Sequence, residues 1–314
     1  MTALRTGRTV RVLQPGYGAT VQDLGRPGHG ALGVSPSGAA DPDSLRLANR
    51  LVGNEESAAA LECLLGGLVL AFDHHATVAL TGAPCPARAG GRPVGPNAPV
   101  RLAPGEQLRL GTATDGLRVY VAVRGGLDTP AVLGSRSTDT LSGLGPERLA
   151  AGGLLPVGDR TTGWPAVDLA PRRALPAEPL LRILPGPRDD WFTPAALAAL
   201  CAAPYTVTEQ SDRIGMRLAG PALERVRPGE LPSEGTVAGA LQVPPSGRPI
   251  LFLADHPVTG GYPVIAVVHE DDLPLAAQTR PGRTLRFRLA QRPGAPGTAT
   301  DSPSPVASPR RKIR

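Results

Sequence analysis

Short apolar runs bounded by glycine or proline dominate the chain. The clearest are LRVYVAVRG (117–125), RPILFLAD (248–255), YPVIAVVHE (262–270) and RTLRFRLA (283–290). Their length, β-branched content and partial alternation predict strands. Helical periodicity is confined to two stretches. DPDSLRLANRLVG (41–53) opens on Asp41 as N-cap with Pro42 at the first helical position, closes at Gly53, and gathers Leu45, Ala48, Leu51 and Val52 on one face. TPAALAALCAA (193–203) repeats the opening with Thr193 and Pro194. Many strands and few short helices predict a mainly β fold, with the helices capping sheet ends or barrel openings.

The two halves echo one another. RVLQPG (11–16) is matched by RILPGP (182–187), RPG (26–28) by RIG (213–215), and APGEQLRLG (103–111) by RPGRTLRFR (280–288). The order is kept, which predicts a diverged tandem duplication. The stretch 112–170 has no counterpart and reads as an extension of the first unit. The polar, proline-rich PRRALPAEP (171–179) is the candidate boundary. The expected organisation is therefore a first domain over 1–170, a second over 171–290 and a tail over 291–314.

Composition sharpens this picture. In 314 residues, 41% hydrophobic content is enough for a sizeable core, and 39 glycines with 36 prolines supply the turns between many strands. The net charge of +6 is concentrated in the tail, where five basic side chains face one acidic one. The body is nearly balanced, so nucleic acid is not an expected partner. Lys312 is the only lysine, which removes a lysine Schiff base and a phosphate-loop lysine from the body. Cys63, Cys85 and Cys201 form no metal or redox spacing and suit a reducing compartment. No apolar stretch reaches the length of a membrane span, and MTALRTGRTVRVL lacks the apolar core of a signal peptide. A cytoplasmic protein is expected.

Candidate chemistry lies where polar groups meet glycine turns. In LADHPVTGGYP (253–263) an apolar run ends in Asp255 and His256, then turns through Thr259, Gly260 and Gly261 to Tyr262. Glycines there allow close backbone approach and expose N–H groups. SDRIGMRLAG (211–220) offers Asp212, Arg213 and Arg217, and arginine grips carboxylate or phosphate in a fork. SEGTVAGALQVPPSG (233–247) brings Glu234. TVQDLGRPGHGALGVSPSGAAD (20–41) places Asp23, Arg26, His29 and Asp41 in a loop too rich in special backbone positions for a helix or strand. Glu62 and Arg136 stand beside apolar runs, where a charge is either paired or exposed. Dinucleotide, phosphate-loop, zincin and nucleophile-elbow patterns are all missing. The adjacent His74 and His75 point apart in a strand, so no metal site is expected.

Taken in order, these segments resemble one family. The matching stretches in the first half are 20–54, ALECLLGG (60–67), YVAVRGGLD (120–128) and VLGSRSTDT (132–140). In the second half they are ILPGPRDDWF (183–192), SDRIGMRLAG, LPSEGTVAGALQVPPSGRPI (231–250) and LADHPVTGGYP. They resemble the family that contains the C subunit of bacterial ATP-dependent 5-oxoprolinase and one half of the carboxyltransferase region of urea carboxylase (urea amidolyase). A bacterial antagonist of a sporulation-kinase inhibitor is a further member. The resemblance covers about 10–290 and leaves the tail outside. It implies two tandem cyclophilin-like β-barrel domains. It also implies two partners, a protein like the family's B subunit and a lactam-hydrolase-like A subunit. With them the chain would open 5-oxoproline to glutamate at the expense of ATP.

On this resemblance Asp255, Arg213 and Glu234 are the expected catalytic groups. Asp255 would orient or deprotonate an amide or water, and Arg213 would hold a substrate carboxylate or a phosphate. Thr259, Gly260, Gly261, Tyr262, Asp23 and Arg26 are the expected substrate contacts. The ATP site is shared with, or carried by, a partner. There is no covalently bound biotin, because Lys312 is not in a Met-Lys pair. One departure stands out: many members read Asp-x-Gln-Thr where this chain has Asp255-His256-Pro257-Val258. Carboxyl transfer from carboxybiotin supplied in trans, and a non-catalytic regulatory binding role, are the alternative readings.

Overall fold

The computed structural model describes residues 7–165, 167–171, 174–229 and 231–290. The basic segment 291–314, expected as a solvated tail, lies outside the described residues.

The first half folds as two antiparallel sheets over one core. One sheet runs in the order Leu154–Pro156, Thr9–Pro15, Leu68–Phe72, Gln107–Leu110, Ala87–Ala89 and Arg92–Val94. The other runs Ala19–Gln22, Ala60–Leu64, Arg118–Val123, Ala76–Gly82 and Pro99–Leu102. Prolines occupy the outermost strands: Pro93 and Pro156 in the first sheet and Pro99 in the second. A residue without an N–H belongs on an edge, since it cannot donate to a further strand.

The central strand Arg118–Val123 is buried on both faces. Val119, Val121 and Val123 enter the core between the sheets. Tyr120 and Ala122 point the other way and pack under the helix Pro42–Leu51 with Leu45, Ala48 and Leu51. Burying each large apolar side chain here contributes about 1.5–3 kcal/mol relative to exposure. The helix starts as its sequence predicts, with the Asp41 carboxylate accepting from the Ser44 backbone N–H at 3.0 Å.

The second half closes into a seven-stranded barrel. Its order is Leu180–Pro185, Val264–Val268, Ala240–Gln242, Ile250–Phe252, Gly215–Ala219, Tyr205–Val207 and Thr284–Leu289. A parallel pairing of the last strand with the first shuts the ring. Leu181, Ile183, Leu218, Leu251, Ile265 and Phe287 fill it. The helix Pro194–Ala202 adds Ala196 and Leu200 to that core. A small ribbon, Glu234–Gly235 with Thr259–Gly260, stands apart from the barrel strands.

Two of the three echoed pairs become strands in both halves, with different neighbours, while 26–28 is a turn and 213–215 leads into a strand only at Gly215. Thr9–Pro15 pairs with Leu68–Phe72, whereas its counterpart Leu180–Pro185 pairs with Thr284–Leu289.

The two halves are clamped at the start of the central strand. Gln278, just past the helix Leu273–Ala277, accepts from the backbone N–H groups of Leu117 and Arg118 at 2.9 Å each. Its Nε2 donates to the Arg118 carbonyl (3.0 Å) and to Asp41 (2.8 Å). Arg280 donates to the Ala113 and Gly116 carbonyls. No helix among the described residues is long and apolar enough to cross a membrane.

Candidate functional site

Four charged side chains meet between the halves, and local backbone turns put them there. Asp212 Oδ1 accepts from the N–H groups of Ile214 (2.8 Å) and Gly215 (3.0 Å), forming a side-chain-closed turn. That turn sends Arg213 inward at the head of Gly215–Ala219. Asp255 follows the strand Ile250–Phe252 and donates its backbone N–H to the Arg213 carbonyl at 3.0 Å. Two turns of the barrel rim are thereby fixed side by side. From the first half come Glu62, on Ala60–Leu64, and Arg118, on the adjacent strand. Glu62 is directly opposite Tyr120 in the register. Glu62, Tyr120 and Arg118 therefore all point to the face away from the apolar core.

Arg213 joins the halves. Its Nε and Nη2 each lie 2.9 Å from a different oxygen of Asp255. Nη2 also donates to the Gly38 carbonyl and Nη1 to Glu62. Glu62 accepts in addition from Arg118 Nη1 (2.8 Å), the Ala40 N–H (2.9 Å) and the Tyr120 hydroxyl (2.7 Å). Burial works to raise the Glu62 pKa, but the guanidiniums of Arg213 and Arg118 outweigh it and hold it below the ordinary carboxylate value. Tyr120 is pushed well up by burial and by the neighbouring carboxylates, so it stays a hydrogen-bond donor. Two cations and two anions balance, which is the condition for burying them at all.

Asp255 is wholly buried and its oxygens are fully used. Oδ1 takes Arg213 Nη2 and the Ser37 hydroxyl (2.7 Å). Oδ2 takes Arg213 Nε, the Thr140 N–H (2.9 Å) and the Thr140 hydroxyl (2.7 Å). Burial would raise its pKa; Arg213, then Ser37 and Thr140, more than reverse this and leave it depressed. The expectation that Asp255 takes a proton from substrate or water therefore meets a carboxylate with no free lone pair and a strong preference for its charge. The arrangement suits an anchor for Arg213.

Arg118 and Arg213 line a cavity of about 280 Å³ between the halves, together with Glu62, Thr140 and apolar Leu64 and Met216. Four of the five Arg213 N–H groups are accounted for above. Arg118 is less committed: among the described residues its Nη2 carries no hydrogen bond, and its Nε is buried without a partner. An unmet buried donor costs about 1–3 kcal/mol. The cavity thus offers the guanidiniums of Arg118, Arg148 and Arg213 beside apolar walls, with Glu62, Glu209 and Asp212 also in its lining and Asp255 outside it. That combination suits a small organic anion. No lysine and no glycine-rich phosphate loop lines it.

The other expected site residues are distributed elsewhere. Glu234 pairs with Arg188 in a forked contact, and no hydrogen bond or ion pair links it to Arg213 or Asp255 among the described residues. Thr259 and Gly260 lie opposite Gly235 and Glu234 in the ribbon. The Gly261 and Tyr262 carbonyls accept from the Leu231 N–H (3.2 Å) and Gln242 Nε2 (3.0 Å). Asp23 and Arg26 are buried in the first half. Asp23 accepts from the Ser135 and Ser137 hydroxyls (2.6 Å each) and the Arg136 N–H (2.6 Å). Arg26 donates to the Val132 and Ser137 carbonyls. Together they hold the loop that ends in Thr140, which reaches Asp255. They position the site rather than line it. Arg118, Ser37, Thr140 and Gln278 escaped the sequence reading. Arg118 had one usable signal, a lone charge at the edge of an apolar run.

A model of the carboxyltransferase domain, subdomains A and B, matches residues 32–289. The chain belongs to this family. It is similar to the C subunit of 5-oxoprolinase from Escherichia coli (strain K12), 38% identical over 286 residues that cover 88% of this chain and 90% of the relative. It is also similar to the urea amidolyase of Lachancea kluyveri, 32% identical over 305 residues covering 88% of this chain. The chain spans only 16% of that much longer protein. Among solved structures, the K. lactis urea amidolyase superposes with a TM-score of 0.84 at 29% identity, over 91% of this chain and 19% of that one.

Proposed function

We propose that this chain is one component of an ATP-dependent 5-oxoprolinase complex and receives the carboxylate of 5-oxoproline in the Arg118–Arg213 cavity. The observation that carries the reading is the pair of buried guanidiniums facing one small cavity, with donors on Arg118 left unmet. The likeness to the C subunit of 5-oxoprolinase over nearly the whole of that protein supports it.

In this reading the residues bind and orient. Arg118 and Arg213 take the carboxylate, each charge-assisted bond contributing about 1.5–3 kcal/mol. Glu62 and Asp255 fix the two forks, and Leu64 and Met216 face the ring methylenes. ATP, whose energy drives opening of an otherwise unreactive lactam, is bound by a partner. A protein like the family's B subunit and a lactam-hydrolase-like A subunit are the partners the reading requires, and the chain is active only with them.

The test is co-expression of the three proteins and measurement of glutamate formed from 5-oxoproline with and without ATP. ATP-dependent glutamate that disappears on omitting this chain is expected. A well-assembled complex that forms none overturns the reading. The likeness to urea amidolyases then favours carboxyl transfer, measured with carboxybiotin and urea-like amides.

A further inference from the structure

The strand Ala76–Gly82 leaves the central strand Arg118–Val123 just short of Arg118, since its pairing ends with Gly82 opposite Val119. Ala83 still donates its N–H to the Arg118 carbonyl (2.8 Å). In an antiparallel pair the Arg118 N–H would return to the carbonyl opposite; here it goes instead to Gln278 Oε1 (2.9 Å). The Gln278 carboxamide then behaves as a peptide group of a continuing strand, because its Nε2 also donates to the Arg118 carbonyl (3.0 Å). Its two remaining positions take the Leu117 N–H (2.9 Å) and Asp41 (2.8 Å). The amide is thus saturated, and the residue is only 4% exposed. Gly82 makes room for it: φ is +79°, and a Cβ there would lie 3.3 Å from Gln278 Nε2 and closer still to the Arg118 carbonyl oxygen.

The same amide closes a ring of hydrogen bonds. Arg118 Nη1 reaches Glu62, Glu62 accepts from the Tyr120 hydroxyl, that hydroxyl accepts from the Asp41 N–H (2.8 Å), and the Asp41 carboxylate returns to Gln278. Gln278 is the one member of this ring from the second half. The guanidinium of Arg118 has a single side-chain bond to fix its direction, the one to Glu62, among the described residues. The other constraint on its aim is its own backbone, which Gln278 holds at both the N–H and the carbonyl.

We infer that Gln278 is a positioning residue: it completes the strand ladder at Arg118 from across the junction and so aims that guanidinium into the cavity. It stands 160 residues from Arg118 along the chain, so the anion affinity of the cavity depends on how the second half is seated against the first. A guanidinium held in place before a ligand arrives spends little of the binding energy on its own ordering. The consequence for substrate affinity rests on the function proposed above, whereas the ordering of Arg118 does not.

The test compares the wild type with Gln278→Met, which keeps the reach of the side chain and removes the amide, with Arg118→Gln, and with the double variant. In the full chain labelled with ¹⁵N at arginine, the Arg118 Nε–H is sealed from solvent and its signal is identified by its absence in Arg118→Gln. A strong heteronuclear Overhauser effect, the mark of a rigid side chain, is expected in the wild type, and its loss in Gln278→Met. In the assembled complex Gln278→Met should raise KM for 5-oxoproline about 3–10-fold with a far smaller change in kcat. The double variant should be no worse than Arg118→Gln, because Gln278 acts through Arg118. A merely structural glutamine would leave the Arg118 signal ordered, and its effect would multiply with that of Arg118→Gln. Gln278→Asn, whose amide falls one methylene short, replaces the Met variant if that one does not fold. An Arg118 Nε–H as ordered in the folded variant as in the wild type, or effects on KM that multiply, overturns the inference. A loosened Arg118 together with an unchanged KM in Arg118→Gln upholds the inference and overturns the function proposed above.

Discussion

Arg213 meets Asp255 edge to edge, with Nε and Nη2 each 2.9 Å from a different carboxylate oxygen. Both residues come from the barrel, but the hydroxyls that complete the carboxylate, Ser37 and Thr140, come from the other half. The pair is thus a rivet between the halves as well as a support for the cavity. A guanidinium held in both planes loses little freedom when a ligand arrives, so affinity is not spent on ordering it.

Asp255→Asn should therefore act first on stability. It leaves Arg213 buried with half of its balancing charge, and breaking a buried pair costs about 3–5 kcal/mol. Glu62 still holds Nη1, so the lower end, about 3 kcal/mol, is expected in denaturant unfolding. A variant that unfolds like the wild type yet makes no glutamate would restore Asp255 as a proton-transfer group.

Arg118→Gln should separate binding from folding. Arg118 spends one side-chain hydrogen bond among the described residues, and Glu62 keeps Arg213 in its absence. The expected stability loss is about 1–2 kcal/mol, below the full cost of orphaning a buried charge. The apparent KM for 5-oxoproline should rise about 10–100-fold, the equivalent of one charge-assisted bond. An unchanged KM places the substrate carboxylate elsewhere.

Gly38→Ala tests the loop that presents a carbonyl to Arg213. Gly38 has φ of +97°, and a Cβ there would stand 2.8 Å from the Gly25 nitrogen and 2.9 Å from the Leu24 carbonyl carbon. Both neighbours are backbone and cannot swing away. A loss of about 2 kcal/mol is expected from strain and displacement. Catalytic efficiency should fall with it, because the Gly38 carbonyl accepts from Arg213. Equal melting temperatures for variant and wild type would show that the loop has room to move.

Much of the β framework was legible because its signals are local. The four apolar runs became strands within a few residues of their expected ends, and Asp41-Pro42 and Thr193-Pro194 both opened helices. The short helix Leu273–Ala277 was not legible, since LPLAA is too short to show a period. The site was legible only in part. Arg213 and Asp255 stand out beside turns, but their partners Glu62, Ser37 and Thr140 lie 151, 218 and 115 residues away along the chain. No spacing rule reaches that far. Glu234 stands beside a glycine, and its pairing with Arg188, 46 residues upstream, was equally beyond any spacing rule.

The pH dependence of stability should show two separate losses on acidification. His256 has a folded pKa lowered from 6.5 by burial, so the unfolded chain binds its proton first. Stability is then highest above pH 6.5 and falls as the pH drops through that value, by up to about 1.4 kcal/mol per unit. Glu62 and Asp255 are depressed below 4.5 and 3.8, so their contribution is present above those values and drains away at lower pH. Asp41, raised by burial, works against this second loss, because its protonation relieves the folded state. Urea unfolding of the wild type and His256→Gln at about pH 7, 6, 5 and 4 separates the two. His256→Gln should flatten the curve between about pH 7 and 5 and keep the steeper fall near pH 4. A variant that retains the wild-type slope over that upper range places the first titration at another group.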